Sequence, residues 1–180
     1  SRQSPMNDNK EVNPISEYLD SIGVGYRVRD GGTFDYKNIT FGYTGKNTSI
    51  DCSIDFGKGG KTFTIFGMVP NRVPKDLVQE AMKVINYANW GGRYGTMIIS
   101  PKDGAFWARH SNASVQTVDP SVYDAMINNV CSMVDEYYPL IMKIIYGGKT
   151  AEEVIDEYEN SGNDDKGPAT PTNICLLYTS

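Results

Sequence analysis

Apolar residues recur every three or four positions in four stretches of the chain, which is the spacing of an amphipathic helix. The stretches cover residues 15–22, 73–90, 120–146 and 151–158. In the second stretch, one apolar side is formed by Leu77, Ala81, Val84, Ile85 and Ala88. Pro139 lies inside the third stretch. An interior proline costs about 3 kcal/mol in a straight helix, so we expect a kink or a break near Tyr137 and Tyr138.

Between these helices, apolar and polar residues alternate in the manner of half-buried β-strands. Five strands are predicted, over residues 39–44, 50–56, 62–69, 97–99 and 104–109, and the last two are joined by a hairpin turn at 101–104. Residues 26–29 could form a further short strand, which is not included among these five. The pattern predicts an α+β fold with an antiparallel five-stranded sheet, helices packed on one face, and the order α-β-β-β-α-β-β-α(-α).

Four segments follow from the distribution of polar residues. Residues 1–13 are expected to be a mobile lead-in, 14–160 one α+β domain, and 161–174 a linker or tail rich in polar residues, glycine and proline. The last six residues, 175–180, are Cys-Leu-Leu-Tyr-Thr-Ser. A DNA sequence that encodes them resembles a transposase mosaic-end sequencing adapter, so we interpret 175–180 as read-through from a metagenomic fragment.

Composition excludes several classes of protein. With 39% hydrophobic residues, 22% charged residues and a net charge of −5, the chain is neither a disordered polyelectrolyte nor a basic nucleic-acid binder. No apolar run approaches the roughly 20 residues of a membrane helix. We therefore expect no nucleic-acid or membrane partner and a cytoplasmic location. Cys52, Cys131 and Cys175 have no metal-ligand spacing, and free thiols are expected, buried at the first two.

Two of the predicted strands are apolar on both faces. The strand at 62–69 carries Phe66 and Met68 opposite its other apolar residues, and Met97 and Ile99 lie in a second such strand. The helices suffice to cover one face, so we predict that Phe66, Met68, Met97 and Ile99 form a surface for a second copy of the chain or another protein.

No catalytic constellation is evident. The single histidine, His110, follows Arg109, and the sequence contains neither a nucleophile elbow nor a His-x-x-x-His motif. We therefore predict no catalytic residues, no cofactor-binding residues and no metal ligands. Asp51, Ser53 and Asp55 share a strand face that could hold a hard cation, but a solvated face explains their alternation better.

A second candidate site is a polar groove. It would be formed by Asn86, Asn89, Trp90, Arg93 and Trp107. The favoured interpretation of the two asparagines is that they cap helix carbonyls or bridge to the neighbouring loop.

The order of elements resembles the YbjN-domain family over residues 15–159. The best-matching pieces are Val73-Pro74, residues 85–89 (Ile-Asn-Tyr-Ala-Asn) and the strand at 104–109. The resemblance implies a fold similar to that of type III secretion chaperones, a bacterial source, frequent dimerisation, and sensory-transduction regulation through protein binding, with no established catalytic residues.

Two functions are compatible with these features. The favoured one is a non-enzymatic protein-binding module, chaperone-like or regulatory, that acts as a homodimer. The alternative is a small ligand-sensing domain or enzyme with a pocket near Trp90, Arg93, Trp107 and His110. The first is preferred because the convergent polar groups of a default ligand pocket are not visible in the sequence.

Overall fold

The computed structural model describes residues 14–31, 36–57, 62–92, 94–112 and 119–161. Four helices are α1 (Pro14–Ser21), α2 (Val78–Gly91), α3 (Pro120–Gly147) and α4 (Ala151–Asn160). Six strands are β1 (Arg27–Gly31), β2 (Tyr36–Thr44), β3 (Ser49–Phe56), β4 (Phe63–Arg72), β5 (Thr96–Ile99) and β6 (Ala105–Asn112). The predicted lead-in, most of the predicted tail, and the final six residues with Cys175 lie outside the described residues.

The strands form one antiparallel sheet in the order β1-β2-β3-β4-β6-β5. The α+β class and the antiparallel sheet are confirmed, whereas the prediction of five strands is wrong. The additional strand is β1, at the sheet edge, where it pairs with β2 between Arg27 and Gly31. An edge strand is paired on one side only, and charged residues there discourage further pairing. Its charged sequence therefore lacks the apolar alternation that revealed the other strands.

Contacts of named side chains place α3 against one face of the sheet. On β4, the Phe63 ring lies 6.0 Å from the Tyr123 ring of α3. A Cβ atom at Gly67 would lie 3.3 Å from Cγ1 of Val130, so the missing side chain lets α3 approach the strand closely. The Tyr43 hydroxyl of β2 donates to Oδ1 of Asn128 at 3.1 Å. The long helix thus crosses the centre of the sheet and closes the core.

The helix boundaries follow capping chemistry. Asp119 caps α3, since its carboxylate accepts the Ser121 N–H at 2.9 Å, and this confirms the predicted start at Asp119 and Pro120. Thr150 and Glu153 form the predicted capping box of α4. The second helix is the exception, because its α-helical part begins at Val78 after a 3-10 turn at Lys75–Leu77, later than the predicted start at Val73.

The sequence predicted a kink or a break near Tyr137 and Tyr138. Helix α3 continues through Pro139, so the break is wrong, and the kink stays a prediction. A proline at this position leaves the carbonyl four residues earlier, that of Asp135, without its usual N–H partner. Here the side-chain amide of Asn47, in the β2–β3 turn, donates to that carbonyl oxygen at 3.0 Å. A contact distant in sequence therefore satisfies the acceptor that Pro139 leaves open.

Cys52 and Cys131 are free and buried, as predicted. Cys52 lies on β3 and Cys131 on α3. Burial, and then the neighbouring Cys52 thiol, raises the pKa of Cys131 well above its ordinary value. The reactive species of a cysteine is the thiolate, and a raised pKa disfavours it. We therefore interpret the two cysteines as packing residues of the core.

We expect both core thiols to be inert in the folded protein. In a Cys175→Ser chain, Ellman's reagent should titrate no thiol under native conditions and both thiols in denaturant, because burial restricts access and suppresses thiolate formation. Stoichiometric labelling of either cysteine in the native protein within minutes would contradict the packing of α3 on β3.

Candidate functional site

The two faces of the sheet differ in what covers them. On β4 and β6, the register pairs Ile65 with His110 and Gly67 with Ala108, and these positions share the face on which α3 lies. The alternate positions point to the opposite face because successive strand residues alternate. We call this opposite surface the open face, since the helix contacts with named side chains described above lie on the other side.

The centre of the open face is apolar. Met68 on β4 pairs with Trp107 on β6, and Trp107 pairs in turn with Ile98 on β5. Phe66 lies two residues along β4 from Met68. Met68 is 37% exposed, and the other three are partly exposed. We call Phe66, Met68, Ile98 and Trp107 the apolar patch.

Charged residues lie on both sides of the apolar patch. Asp51 pairs with Met68 and Asp55 pairs with Thr64, so both carboxylates of β3 lie on the open face. Across β4, Arg109 of β6 pairs with Phe66. All three charged residues are exposed. The apolar patch thus has two carboxylates beside it on β3 and one arginine on β6, while Arg27 and Arg29 lie farther out on the same face, on β1.

The predicted partner surface is only partly assembled. Phe66 and Met68 lie on the open face, but Met97 pairs with Ala108 and Ile99 with buried Phe106, which places both on the helix side. Met97 is 2% exposed. The two residues that take their place on the open face are Ile98 and Trp107. The apolar run at 97–99 gives no clue to orientation by itself, and pairing with β6 decides it.

The predicted polar groove is not assembled either. The side chain of Asn89 is hydrogen-bonded to β5. Its Nδ2 donates to the Met97 carbonyl at 3.1 Å, and its Oδ1 accepts the Met97 N–H at 2.8 Å. This two-point clamp is the bridging role that the sequence favoured. Trp107 lies across the sheet on the open face, and Arg93 lies outside the described residues.

Trp90 and Asn86 lie on the helical side. Trp90 is 84% exposed, and its ring stacks beside Tyr87 at a centroid distance of 6.5 Å. The Tyr87 hydroxyl donates to Oε1 of Glu159 at 2.9 Å. Burial, and next this hydrogen bond, raises the pKa of Tyr87 to about 12. Asn86 is exposed on the same helix, so neither residue shares a surface with Trp107.

His110 is held by a loop and does not join a polar cluster with Trp107. Its Nδ1 contacts the Tyr94 carbonyl oxygen, and because a carbonyl only accepts, Nδ1 carries the proton in this contact. Trp107 and His110 lie three residues apart on β6. Because successive strand residues alternate between the two faces, their side chains point to opposite faces. Trp90, Trp107 and His110 therefore do not enclose the pocket that the sequence suggested.

The hypothesis of a cation site at Asp51, Ser53 and Asp55 has two acidic side chains, and the described structure adds no further acidic, histidine or cysteine ligand to them. Asn38 of β2 donates to the Ser53 hydroxyl at 2.6 Å and also contacts the Asp55 carboxylate. Over the described ranges, no group of three histidine, cysteine or acidic side chains is positioned to hold a metal ion.

A buried carboxylate that the sequence analysis missed fastens the β2–β3 turn to α3. Asp135 is 6% exposed. Its two oxygens accept backbone N–H groups from Lys46 at 2.9 Å, Asn47 at 2.9 Å and Thr48 at 3.1 Å. Together with the Asn47 amide on the Asp135 carbonyl, these contacts form what we call the turn clamp. The signal in the sequence that could have revealed this contact is Asp135 itself, an acidic residue among the apolar residues of the long helix.

The architecture defines an α+β domain with an antiparallel sheet and four helices. The chain belongs to the YbjN family, whose model, described as "Putative bacterial sensory transduction regulator", matches residues 12–142. YbjN is not a known enzyme family. No curated protein sequence matches the chain significantly. None of the described helices combines the length and apolar character needed to span a bilayer.

Proposed function

We propose that this YbjN protein is a non-enzymatic regulatory module that acts by protein binding, and that a second copy of the chain binds its open face. The observation that carries the proposal is the apolar patch, which lies between two carboxylates on β3 and an arginine on β6. Large apolar side chains clustered on a sheet face and rimmed by polar residues are typical of interaction surfaces. Met68 and Trp107 lie side by side at the centre of this patch.

The charges directly beside the apolar patch are self-complementary. Strands β3 and β6 flank β4, so a two-fold axis along β4, between two stacked sheets, would place β3 of one copy over β6 of the other. Arg109 lies at the level of Ser53, between Asp51 and Asp55. Each arginine would therefore approach two carboxylates of the second copy. Such an isologous arrangement is the commonest homodimer symmetry, and complementary charges favour its register.

The size of the face sets the expected affinity. The six strands are separated by five spacings of about 4.8 Å, and roughly eight residues at 3.3 Å give their length, so the face measures roughly 600 Å² per copy. Two such faces amount to about 1,200 Å², the lower end for a stable interface. We therefore expect a reversible dimer with a dissociation constant on the order of micromolar.

Replacing Met68 by aspartate should abolish this dimer. Loss of one buried methionine per copy removes at least about 3 kcal/mol in total, which weakens association by more than roughly a hundredfold. Analytical ultracentrifugation over a concentration series measures the effect. Met82→Asp is the matched control, because Met82 is similarly exposed, at 46%, but lies on α2.

Charge exchange tests the arrangement itself. Arg109→Asp alone should weaken the dimer, and combining it with Asp51→Arg and Asp55→Arg should restore it. A wild-type chain that stays monomeric at the highest attainable concentration would refute self-association. A dimer unaffected by Met68→Asp would show that the copies meet elsewhere, and binding of a different protein to the monomer through this face would replace the second copy as its occupant.

His110→Ala should leave dimerisation and the melting temperature nearly unchanged. The imidazole is partly exposed and makes one described contact, to a loop carbonyl, so its loss should cost about 1 kcal/mol at most. Thermal denaturation and ultracentrifugation check this. If the variant instead lost a measurable activity or ligand response at wild-type stability, the enzyme or sensor alternative would be favoured.

A further inference from the structure

A cavity of about 250 Å³ lies where the end of β4, the start of α2 and the β5–β6 turn meet. Its walls are partly apolar, contributed by Val73, Pro74, Val78 and Pro101. Its polar side chains are Arg72, Lys75, Lys102 and Asp103. This combination of apolar walls and a few charged groups is the usual composition of a small-ligand site. It shares no residue with the apolar patch or with the turn clamp.

The cavity is built on a fixed backbone. The Val73 N–H donates to the Gly104 carbonyl at 2.9 Å, and the Gly104 N–H donates to the Ser100 carbonyl at 3.0 Å. Ser100 Oγ also accepts the N–H groups of Lys102 and Asp103 at 3.3 and 3.4 Å. On the opposite wall, the register of β4 and β6 shifts between Met68 and Arg72, and such bulges redirect side chains. The backbone of the site is therefore fixed before any ligand arrives.

The cations of the cavity exceed its carboxylates. Asp103 accepts the Ala105 N–H at 3.1 Å and Nη1 of Arg72 at 3.1 Å. Its pKa lies below the ordinary value, chiefly because of the Ala105 N–H. Asp103 thus forms an exposed ion pair with the guanidinium. Within the described part of the chain, the ammonium groups of Lys75 and Lys102 have no anionic partner. The lining carries a net charge of +2 in a chain of net charge −5.

We propose that this cavity binds a small phosphate monoester, with the phosphate at Lys75, Lys102 and Arg72 and a compact apolar body against Val73 and Pro101. A doubly charged phosphate matches the local excess of two positive charges. Charge-assisted hydrogen bonds from ammonium and guanidinium groups are the strong ones in proteins. The apolar walls distinguish such an organic anion from a free inorganic ion.

Phenyl phosphate is the probe for the test. When it is titrated into the ¹⁵N-labelled full chain, the amide resonances of Val73, Lys75 and Gly104 should shift and saturate, with a dissociation constant on the order of a millimolar or below. Inorganic phosphate lacks the apolar body and phenol lacks the charge, so each should bind more weakly. Equal responses to phenyl phosphate and inorganic phosphate, spread over lysines throughout the chain, would overturn the proposal.

Substitution of single lysines makes the test specific. Lys102→Gln and Lys75→Gln should each weaken phenyl phosphate binding by about tenfold, the loss expected for one hydrogen bond between charged partners. Lys46→Gln is the matched control, because it removes the same charge from an exposed residue of the β2–β3 turn. All three positions are exposed, so the variants should fold. Equal weakening by Lys46→Gln, or none by the two cavity variants, would contradict the site.

Discussion

Replacing Asp135 by alanine is expected to lower the free energy of unfolding by about 3 kcal/mol or more. Three backbone N–H groups of the β2–β3 turn lose their acceptor at once. An orphaned buried donor costs about 1–3 kcal/mol, and we take the lower value because Lys46 and Asn47 are exposed residues whose N–H groups water can partly reach. Against a typical total of about 5–15 kcal/mol, this is a severe loss. Thermal denaturation should show a melting temperature lower by roughly 6–12 °C.

Asp124→Ala is the matched control for the turn clamp. Asp124 lies on the same helix, and its carboxylate accepts one described hydrogen bond, from the Tyr18 hydroxyl at 2.5 Å. A loss of about 1 kcal/mol is expected there. If both alanine variants were equally stable, the multiple backbone contacts of Asp135 would not be a main support of the fold.

Gly45 tests the same clamp from the other side. A Cβ atom at this glycine would lie 2.1 Å from Oδ1 of Asp135 and 2.7 Å from the Thr48 carbonyl oxygen. Gly45→Ala should therefore displace the carboxylate and destabilise the protein by a similar amount. Because both variants disrupt one set of contacts, their effects should not add. Additive losses in the double variant, measured by denaturant unfolding, would show that the two residues act separately.

The turn clamp also explains why sequence patterns misjudged α3. The local rule for Pro139 predicts a kink or a break, because the proline removes one backbone hydrogen bond of the helix. The rule cannot include Asn47, which supplies a donor to the Asp135 carbonyl from a turn distant in sequence. By contrast, the capping signals at Asp119 and Thr150 depend on residues within one helical turn. Local signals were sufficient there because the physical cause is local.

The open face shows the same division between local and distant information. Alternation along β4 correctly assigned Phe66 and Met68 to a different face from Ile65. At 97–99 three apolar residues follow one another, so alternation carries no information. The face is decided by the register that pairs Ile98 with Trp107 and Met97 with Ala108. Residues 26–29, considered as a short strand but not counted, overlap β1. The signal there was weak for a related reason, since an edge strand with one partner does not require an apolar pattern.

Replacing Gly104 by alanine is expected to cost well over the roughly 1–2 kcal/mol of an ordinary left-handed alanine. The φ angle of Gly104 is +73°, and a Cβ atom there would lie 1.9 Å from the Val73 carbonyl oxygen and 2.9 Å from its nitrogen. These are backbone atoms, and the Val73 N–H is held by Gly104 itself, so relief requires the β5–β6 turn to separate from the start of α2. Chemical denaturation measures the loss, and phenyl phosphate binding should disappear with it because this contact forms part of the cavity.

Gly23→Ala separates the two causes of that loss. Gly23 has the same φ angle of +73°, but a Cβ atom there meets no other atom within 4 Å. Its substitution therefore carries only the left-handed penalty of roughly 1–2 kcal/mol, and it should leave ligand binding intact because the residue lies after α1. The difference between the two variants measures the close approach of Val73 to Gly104. Equal losses at both glycines would mean that the turn yields freely, and the cavity could then not have the fixed shape that selective binding of an organic anion requires.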